Sequence, residues 1–129
     1  MRIGVLTFVT DEGIGPVALG EALEQRGFSS LFLAEHSHIP VNAQTPCPGG
    51  GPIPRKYYRT LDPFVALTAA VVATEKLILG TGIALIPQRD PILTAKDVAS
   101  PARRPPPRPS STSSSPSTRR QTSVPKSSD

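Results

Sequence analysis

The chain of 129 residues has a single cysteine, Cys47, so no disulfide bond can form within it. This scarcity agrees with a reducing, cytoplasmic setting, which is our expectation for the protein. Long hydrophobic runs are also missing, since the most apolar stretch, residues 64–73, is too short to span a bilayer. The N-terminus has only Arg2 as an early positive charge, which predicts no secretory signal. We therefore expect neither a membrane span nor a secreted product.

A basic surface is missing from the first 100 residues, although the formal net charge of the whole chain is +4. Residues 1–100 carry eight Lys and Arg against nine Asp and Glu, whereas residues 101–129 carry six against one. A nucleic-acid-binding domain needs a basic face on folded structure. The charge distribution therefore predicts no nucleic-acid partner.

Three short apolar runs predict buried strands. They are rich in residues that favour strands, and two of them are nearly continuous in apolar character, which is typical of a parallel sheet covered by helices. They occupy residues 3–8, 31–34 and 77–81.

A helix signal follows each run. Pro16 suits the first turn of a helix that Gly27 ends, and the Asp-Pro pairs at 62–63 and 90–91 each combine an N-cap with a proline at the first helical position. We predict a helix that begins at Pro16 and is stopped by Gly27, a second over residues 64–74 that is mostly buried, and a third from 91 to about 99. The predicted fold class is α/β, with three β/α units.

Two segments lack the pattern of regular structure. Residues 35–61 form a long connection in which 45–54 contain four prolines and three consecutive glycines, so this part is a functional or a disordered loop. Residues 101–129 contain seven Pro, nine Ser and five Arg, which predicts a disordered tail. We therefore divide the chain into a domain over 1–100 and a tail over 101–129.

The stretch LFLAEHSH, residues 31–38, places Glu35 and His36 where the second strand ends. Parallel α/β proteins carry out chemistry at the carboxyl ends of strands, and imidazole suits proton exchange near neutral pH. His36 is therefore our candidate catalytic residue, against the alternative of a surface histidine in a loop. Glu35 could orient the imidazole or cap the strand end, and the second is favoured because neighbours on a strand point oppositely. The two histidines, His36 and His38, stand at i and i+2 with no third ligand at suitable spacing nearby. No metal site is therefore predicted.

Four segments together resemble the luciferase-like monooxygenase family, most closely its actinobacterial branch that uses the deazaflavin coenzyme F-420. The segments are SLFLAEHSH at 30–38, YYRTLDPF at 57–64, KLILGTGIALIPQRDPI at 76–92 and TAKDVAS at 94–100. The resemblance covers residues 1–100. It implies an eight-stranded β/α barrel of the TIM type, of which this chain supplies the first three units.

The resemblance also implies a function. Family members are oxidoreductases that act on a small-molecule substrate with reduced flavin mononucleotide or coenzyme F-420, by oxygen insertion or hydride transfer, and many are homo-oligomers. His36 matches a histidine beside the reacting ring of the cofactor, and Glu35 is assigned to cofactor binding with it. Gly82 and Ile83 match a bulge and a non-prolyl cis peptide behind the ring, and so are also assigned to cofactor binding.

Four further side chains have two interpretations each. Arg59 and Arg89 could meet an anionic substrate or the tail of the cofactor, but a solvated or helix-end charge is the favoured interpretation. The pair Tyr57–Tyr58 could line a pocket or pack the loop.

The sequence departs from the family after Ser100, where a fourth strand preceded by a Gly-Gly-Arg turn would follow. We expect a truncated or frameshifted gene, and a polypeptide that is inactive or nearly so by itself. The alternative function is a small non-enzymatic binding module whose Pro- and Arg-rich segment, 101–109, binds partners. A nucleotide-binding α/β domain ranks last, because no complete glycine-rich phosphate loop is present.

Overall fold

The computed structural model describes residues 1–42, 47 and 49–100, and it confirms the predicted alternation of three strands with three helices. The strands are β1 (Gly4–Thr7), β2 (Ser30–Leu33) and β3 (Ile78–Thr81). The helices are α1 (Pro16–Gln25), α2 (Pro63–Ala73) and α3 (Pro91–Ala99). Two 3-10 turns, Arg55–Tyr57 and Ile86–Gln88, precede α2 and α3. The predicted disorder of 101–129 lies outside the described residues.

The three strands form one parallel sheet in the order β1-β2-β3, as the apolar runs predicted. Leu31 pairs with Val5 on one side and Leu79 on the other. At the next position along β2, Phe32 pairs with Leu6 and Gly80. Because side chains alternate across a strand, these two rows face opposite sides of the sheet.

The helix ends follow the signals in the sequence. The Asp62 carboxylate accepts hydrogen bonds from the backbone N–H groups of Phe64 and Val65, and Asp90 caps α3 in the same way through the N–H of Leu93. At the end of α1, Gly27 has a φ of 77°, which glycine adopts without steric cost. None of the three described helices has the length and apolar character that crossing a membrane requires.

Helices cover one face of the sheet and form the core there. The core joins buried side chains from the strands to α1 and α2; these are Val9, Leu23, Leu31, Leu33, Ala66, Leu67 and Leu77. The prediction that α2 is mostly buried was wrong in part, because Val65 and Val72 are exposed. Only its side toward α1 and the sheet is buried, through residues such as Ala66 and Ala70.

The opposite face of the sheet carries exposed apolar side chains, namely those of Leu6, Phe32 and Ile78. Phe32 lies across Gly80, where an added Cβ would come within 2.9 Å of its ring. In a β/α barrel of the TIM type this face would be turned to the barrel interior. The three-stranded parallel sheet with its three helices is thus consistent with part of such a barrel.

Glu24 of α1 fastens the start of β3 to the rest of the fold. Its carboxylate accepts hydrogen bonds from the backbone N–H groups of Glu75, Lys76 and Leu77, in the turn that leads into the strand. Such charge-assisted bonds to backbone N–H groups are stronger than neutral ones. The third β/α unit is therefore fixed to the first at the amino edge of the sheet.

The uneven covering of the sheet predicts unequal effects of truncating two leucines. Leu33 is 1% exposed and Leu6 is 64% exposed. We expect Leu33→Ala to lower the free energy of unfolding by about 2–5 kcal/mol, and Leu6→Ala by about 1 kcal/mol or less because little of its surface is buried. Urea unfolding followed by circular dichroism measures both. Equal losses would contradict the one-sided core.

Candidate active site

The carboxyl ends of the three strands meet at one edge of the sheet. The parallel hydrogen-bond pattern continues past the strands, since the N–H of Ala34 donates to the carbonyl of Thr7 (3.0 Å) and the N–H of Gly82 donates to that of Leu33 (2.8 Å). The segments beginning at Ala34 and Gly82 therefore leave the sheet side by side. The structure thus brings the ends of the two predicted site segments to the same edge.

His36 lies in a small aromatic cluster at this edge. Its ring meets that of Tyr57 edge-on at a centroid distance of 5.1 Å, and Tyr57 meets Phe8 in the same manner at 5.0 Å. The Nδ1 atom of His36 is buried and has no hydrogen-bond partner among the described residues. Leaving a buried polar atom unpaired is costly, so a hydrogen bond from a ligand that reached this atom would be favourable.

The loop that carries Tyr57 is held by contacts between residues 9–12 and 55–61, which we call the clasp. The N–H of Leu61 donates to the carbonyl of Val9 (2.9 Å), and Thr10 pairs with Thr60 in an antiparallel bridge. These bonds set Tyr57 between Phe8 and His36. The contacts agree with both interpretations of this residue, lining a pocket and packing the loop.

Ion pairs reinforce the clasp at its exposed side. Arg59 binds the carboxylate of Asp11, and Arg55 binds that of Glu12. Hydrogen bonds from these arginines lower the pKa of Asp11 and the pKa of Glu12 from their ordinary values. Arg59 is therefore occupied by an acidic partner of the chain itself, on a solvated surface, in agreement with the favoured interpretation.

Glu35 turns away from His36 and toward the connection between β3 and α3. Its side chain is only 3% exposed. One carboxylate oxygen accepts from Nε of Arg89 (2.7 Å) and the other from the backbone N–H of Leu85 (2.6 Å). Arg89 lies at a helix end, as one form of the favoured interpretation has it, since it follows the turn Ile86–Gln88 and precedes the N-cap of α3. Its side chain is only 19% exposed and is ion-paired. Charge patterns in sequence do not reveal a pair whose partners are 54 positions apart.

Arg89 also reaches the start of α2. Its Nη2 lies 2.5 Å from Oδ2 of Asp62, and its guanidinium lies 4.7 Å from the centroid of the Phe64 ring. The bond to Glu35 raises the pKa of Arg89. Burial by itself would raise the pKa of Asp62, but the bonds from Arg89 and from the N–H groups of Val65 and Phe64 outweigh it, so the net direction is down.

Gly82 and Ile83 lie at the end of β3, but their peptide bond is not cis, and no peptide bond among the described residues is. The cis bond that the resemblance implied is therefore not found here. A Cβ at Gly82 would come within 2.5 Å of the Leu6 side chain and 3.0 Å of Phe32, so glycine lets these side chains pack over the strand end. The side chain of Ile83 is exposed.

His38 is separate from the aromatic cluster. Its Nδ1 lies 2.9 Å from the Ser37 hydroxyl, which in turn donates to Oε1 of Gln88 at 2.6 Å. In the part of the chain that the structure describes, no group of three or more His, Cys, Asp or Glu side chains is placed to hold a metal ion.

The lowered pKa of Asp62 predicts a loss of stability in acid. A carboxyl group whose pKa is lower in the folded state stabilises the fold above its ordinary pKa, and this contribution is lost as the pH falls below about 4. Asp62→Asn keeps the helix cap, since Asn caps as well as Asp, but it removes the charge. We expect the variant to be less stable at neutral pH and to show a flatter decline between about pH 4 and 2.

Asp90→Asn is the matched control, because Asp90 caps α3 without an arginine contact in the described structure. Thermal unfolding across this pH range measures all three proteins. The assignment to Asp62 is contradicted if Asp90→Asn flattens the decline as much as Asp62→Asn does.

Comparison with known sequences shows the family of the chain. The sequence model of the family described as luciferase-like monooxygenase matches residues 15–101. Uncharacterized proteins of Mycobacterium bovis and Mycobacterium tuberculosis are 41% identical to the chain over 102 residues. No solved structure gives a significant match.

The aligned region covers 77% of this chain but only 36% of each mycobacterial relative. The chain thus spans little more than a third of the length of these curated relatives. The family match includes both strand ends of the candidate site, from Glu35 and His36 to Gly82 and Ile83. On this match, the chain belongs to the luciferase-like monooxygenase family.

Proposed function

We propose that the chain forms the first part of a flavin- or deazaflavin-dependent oxidoreductase, with His36 as its catalytic residue. The family supports oxidoreductase chemistry of the flavin type in general. The finer parts of the proposal are the cofactor, reduced flavin mononucleotide or coenzyme F-420, and a reaction of oxygen insertion or hydride transfer on a small molecule. They also include a cytoplasmic location, for which the single cysteine is the support.

The unpartnered Nδ1 of His36 is the observation that carries this proposal. It is buried at the carboxyl edge of a parallel sheet, where β/α barrel enzymes place their catalytic groups. Tyr57 contacts the ring edge-on, and Nδ1 has no hydrogen-bond partner among the described residues. An imidazole held in this way keeps a nitrogen atom for the cofactor or substrate.

The residues at this edge fit the flat, polar ring of a flavin or deazaflavin, except that one side chain, Leu6, stands in its way. His36 would hydrogen-bond to the reacting region or exchange a proton there through its unpartnered nitrogen, and the backbone at Gly82 and Ile83 would face the ring from the neighbouring strand end. The bound reduced flavin or deazaflavin supplies the reducing equivalents. Leu6 now fills the space beside Gly82, so its flexible side chain would have to turn away. Both oxygens of Glu35 are engaged within the protein, which leaves this residue an indirect part in binding.

The binding module proposed as an alternative is not favoured by the family match. Its interaction segment, 101–109, lies outside the described residues. A change of reading frame near codon 100 remains part of our proposal, and translation of the other frames downstream tests it directly. A continuing β/α sequence in another frame is the expected result, and its absence would contradict the frameshift.

A chimera tests the proposed function. Residues 1–100 are joined to the part of the M. tuberculosis relative that follows its aligned region, so that eight strands can form. We expect the chimera to bind flavin mononucleotide or coenzyme F-420, measured by fluorescence titration. The 129-residue chain, in which the described part has three strands, should bind neither measurably.

His36→Gln in the chimera should weaken binding by about 2- to 12-fold, the loss expected for one hydrogen bond. His38→Gln is the matched control, because His38 contacts Ser37 and is exposed, and it should leave the affinity unchanged. A folded chimera that binds neither cofactor, or equal effects of the two histidine variants, would contradict the proposal.

A further inference from the structure

The imidazole of His36 has few anchors of its own. Its ring contacts Tyr57, and Nδ1 has no hydrogen-bond partner among the described residues. In many sites a second hydrogen bond to one ring nitrogen fixes the orientation of a functional histidine. Here the orientation must come from the backbone that carries the ring and from packing against it.

The backbone beside His36 is anchored through the preceding residue. Glu35 is buried, and its carboxylate is held from two directions by Arg89 and by the N–H of Leu85. Because the side chains of adjacent residues leave an extended chain on opposite sides, fixing Glu35 on one side also limits the rotation of the backbone that aims His36 to the other.

The guanidinium of Arg89 is itself fixed by several contacts. Nε and Nη2 both lie within 2.7 Å of the same oxygen of Glu35, and Nη2 also meets Asp62 at the start of α2. The ring of Phe64 lies against the guanidinium. The arginine therefore joins the end of β2, the start of α2 and the approach to α3 at one point.

A direct contact of Arg89 with an anionic substrate is disfavoured by the charges around it. Glu35 and Asp62 bind the guanidinium, and Oδ2 of Asp97 lies 3.8 Å from its Nη1. Three carboxylates face one positive charge, so the surroundings would repel a further anion. The arrangement suits a group that acts within the protein.

We propose that Arg89 is a positioning residue for His36, which acts by holding Glu35 and so sets the imidazole against Tyr57, with Nδ1 unpaired among the described residues. The importance of this role for catalysis rests on the proposed function, but the positioning itself does not. It is a property of the chain that can be measured without any cofactor.

The chain contains two histidines, so its imidazole C–H signals can be resolved by NMR in the full 129-residue protein, and His38→Gln assigns them. The ring current of Tyr57 should change the chemical shifts of the His36 signals. Tyr57→Leu gives the chemical shifts of His36 without that ring. We expect Arg89→Gln to move the His36 signals toward the Tyr57→Leu position while those of His38 stay. Arg89→Lys keeps the charge but not the fork of donors, so it should cause a smaller move in the same direction.

Arg26→Gln is the control, since Arg26 donates to the Ala22 carbonyl on the exposed end of α1. It should leave both histidines unchanged. The proposal is overturned if folded Arg89 variants lose stability but keep the His36 signals in place, because the arginine would then serve the fold alone. Loss of the folded spectrum in both Arg89 variants would equally overturn it in favour of a purely structural role. Failure of the chimera to bind a cofactor would leave the positioning result as it stands.

Discussion

The buried bond between Glu35 and Arg89 is the interaction on which the candidate site depends. A carboxylate that is 3% exposed needs a partner, since an unpaired charge in the interior is strongly unfavourable. Arg89 and the N–H of Leu85 supply it, and in doing so they bring the segment after β3 to the end of β2. Loss of Arg89 alone would leave the buried carboxylate of Glu35 with only the N–H of Leu85, whereas Arg89 would keep Asp62 if Glu35 were lost.

A second glutamate performs a similar task at the opposite edge of the sheet. Glu24 receives the backbone N–H groups of the turn that leads into β3, as Glu35 receives that of Leu85 after the strand. The third β/α unit is thus fixed to the first two by a carboxylate at each end of its strand. Only Glu35, at the carboxyl edge, is adjacent to His36. A carboxylate that accepts backbone N–H groups thus stabilises the fold at one end of β3 and the candidate site at the other.

The elements of the fold could be predicted because their signals are local. Asp62 and Asp90 cap their helices through hydrogen bonds to N–H groups two or three residues further on, and the apolar runs predict the strands. The partners of Glu35 and His36 could not be predicted, since Arg89 and Tyr57 come from segments that only the folded sheet and the clasp bring near. The one-sided burial of α2 could not be predicted either. Its Ala and Val residues are apolar on both sides of the helix, so their pattern does not indicate which side is buried. The assignment of His36 and the Gly82 strand end to the site comes from the family resemblance and stays a prediction.

Nδ1 of His36 has no partner among the described residues, and in our proposal a flavin or deazaflavin meets it there. The most direct measurement is the ¹⁵N spectrum of the chimera with labelled histidine, recorded with and without flavin mononucleotide and coenzyme F-420. We predict that one of the two cofactors shifts the Nδ1 resonance of His36 and leaves both nitrogens of His38 in place. Cofactor binding that moves His38 instead, or neither histidine, would contradict the account.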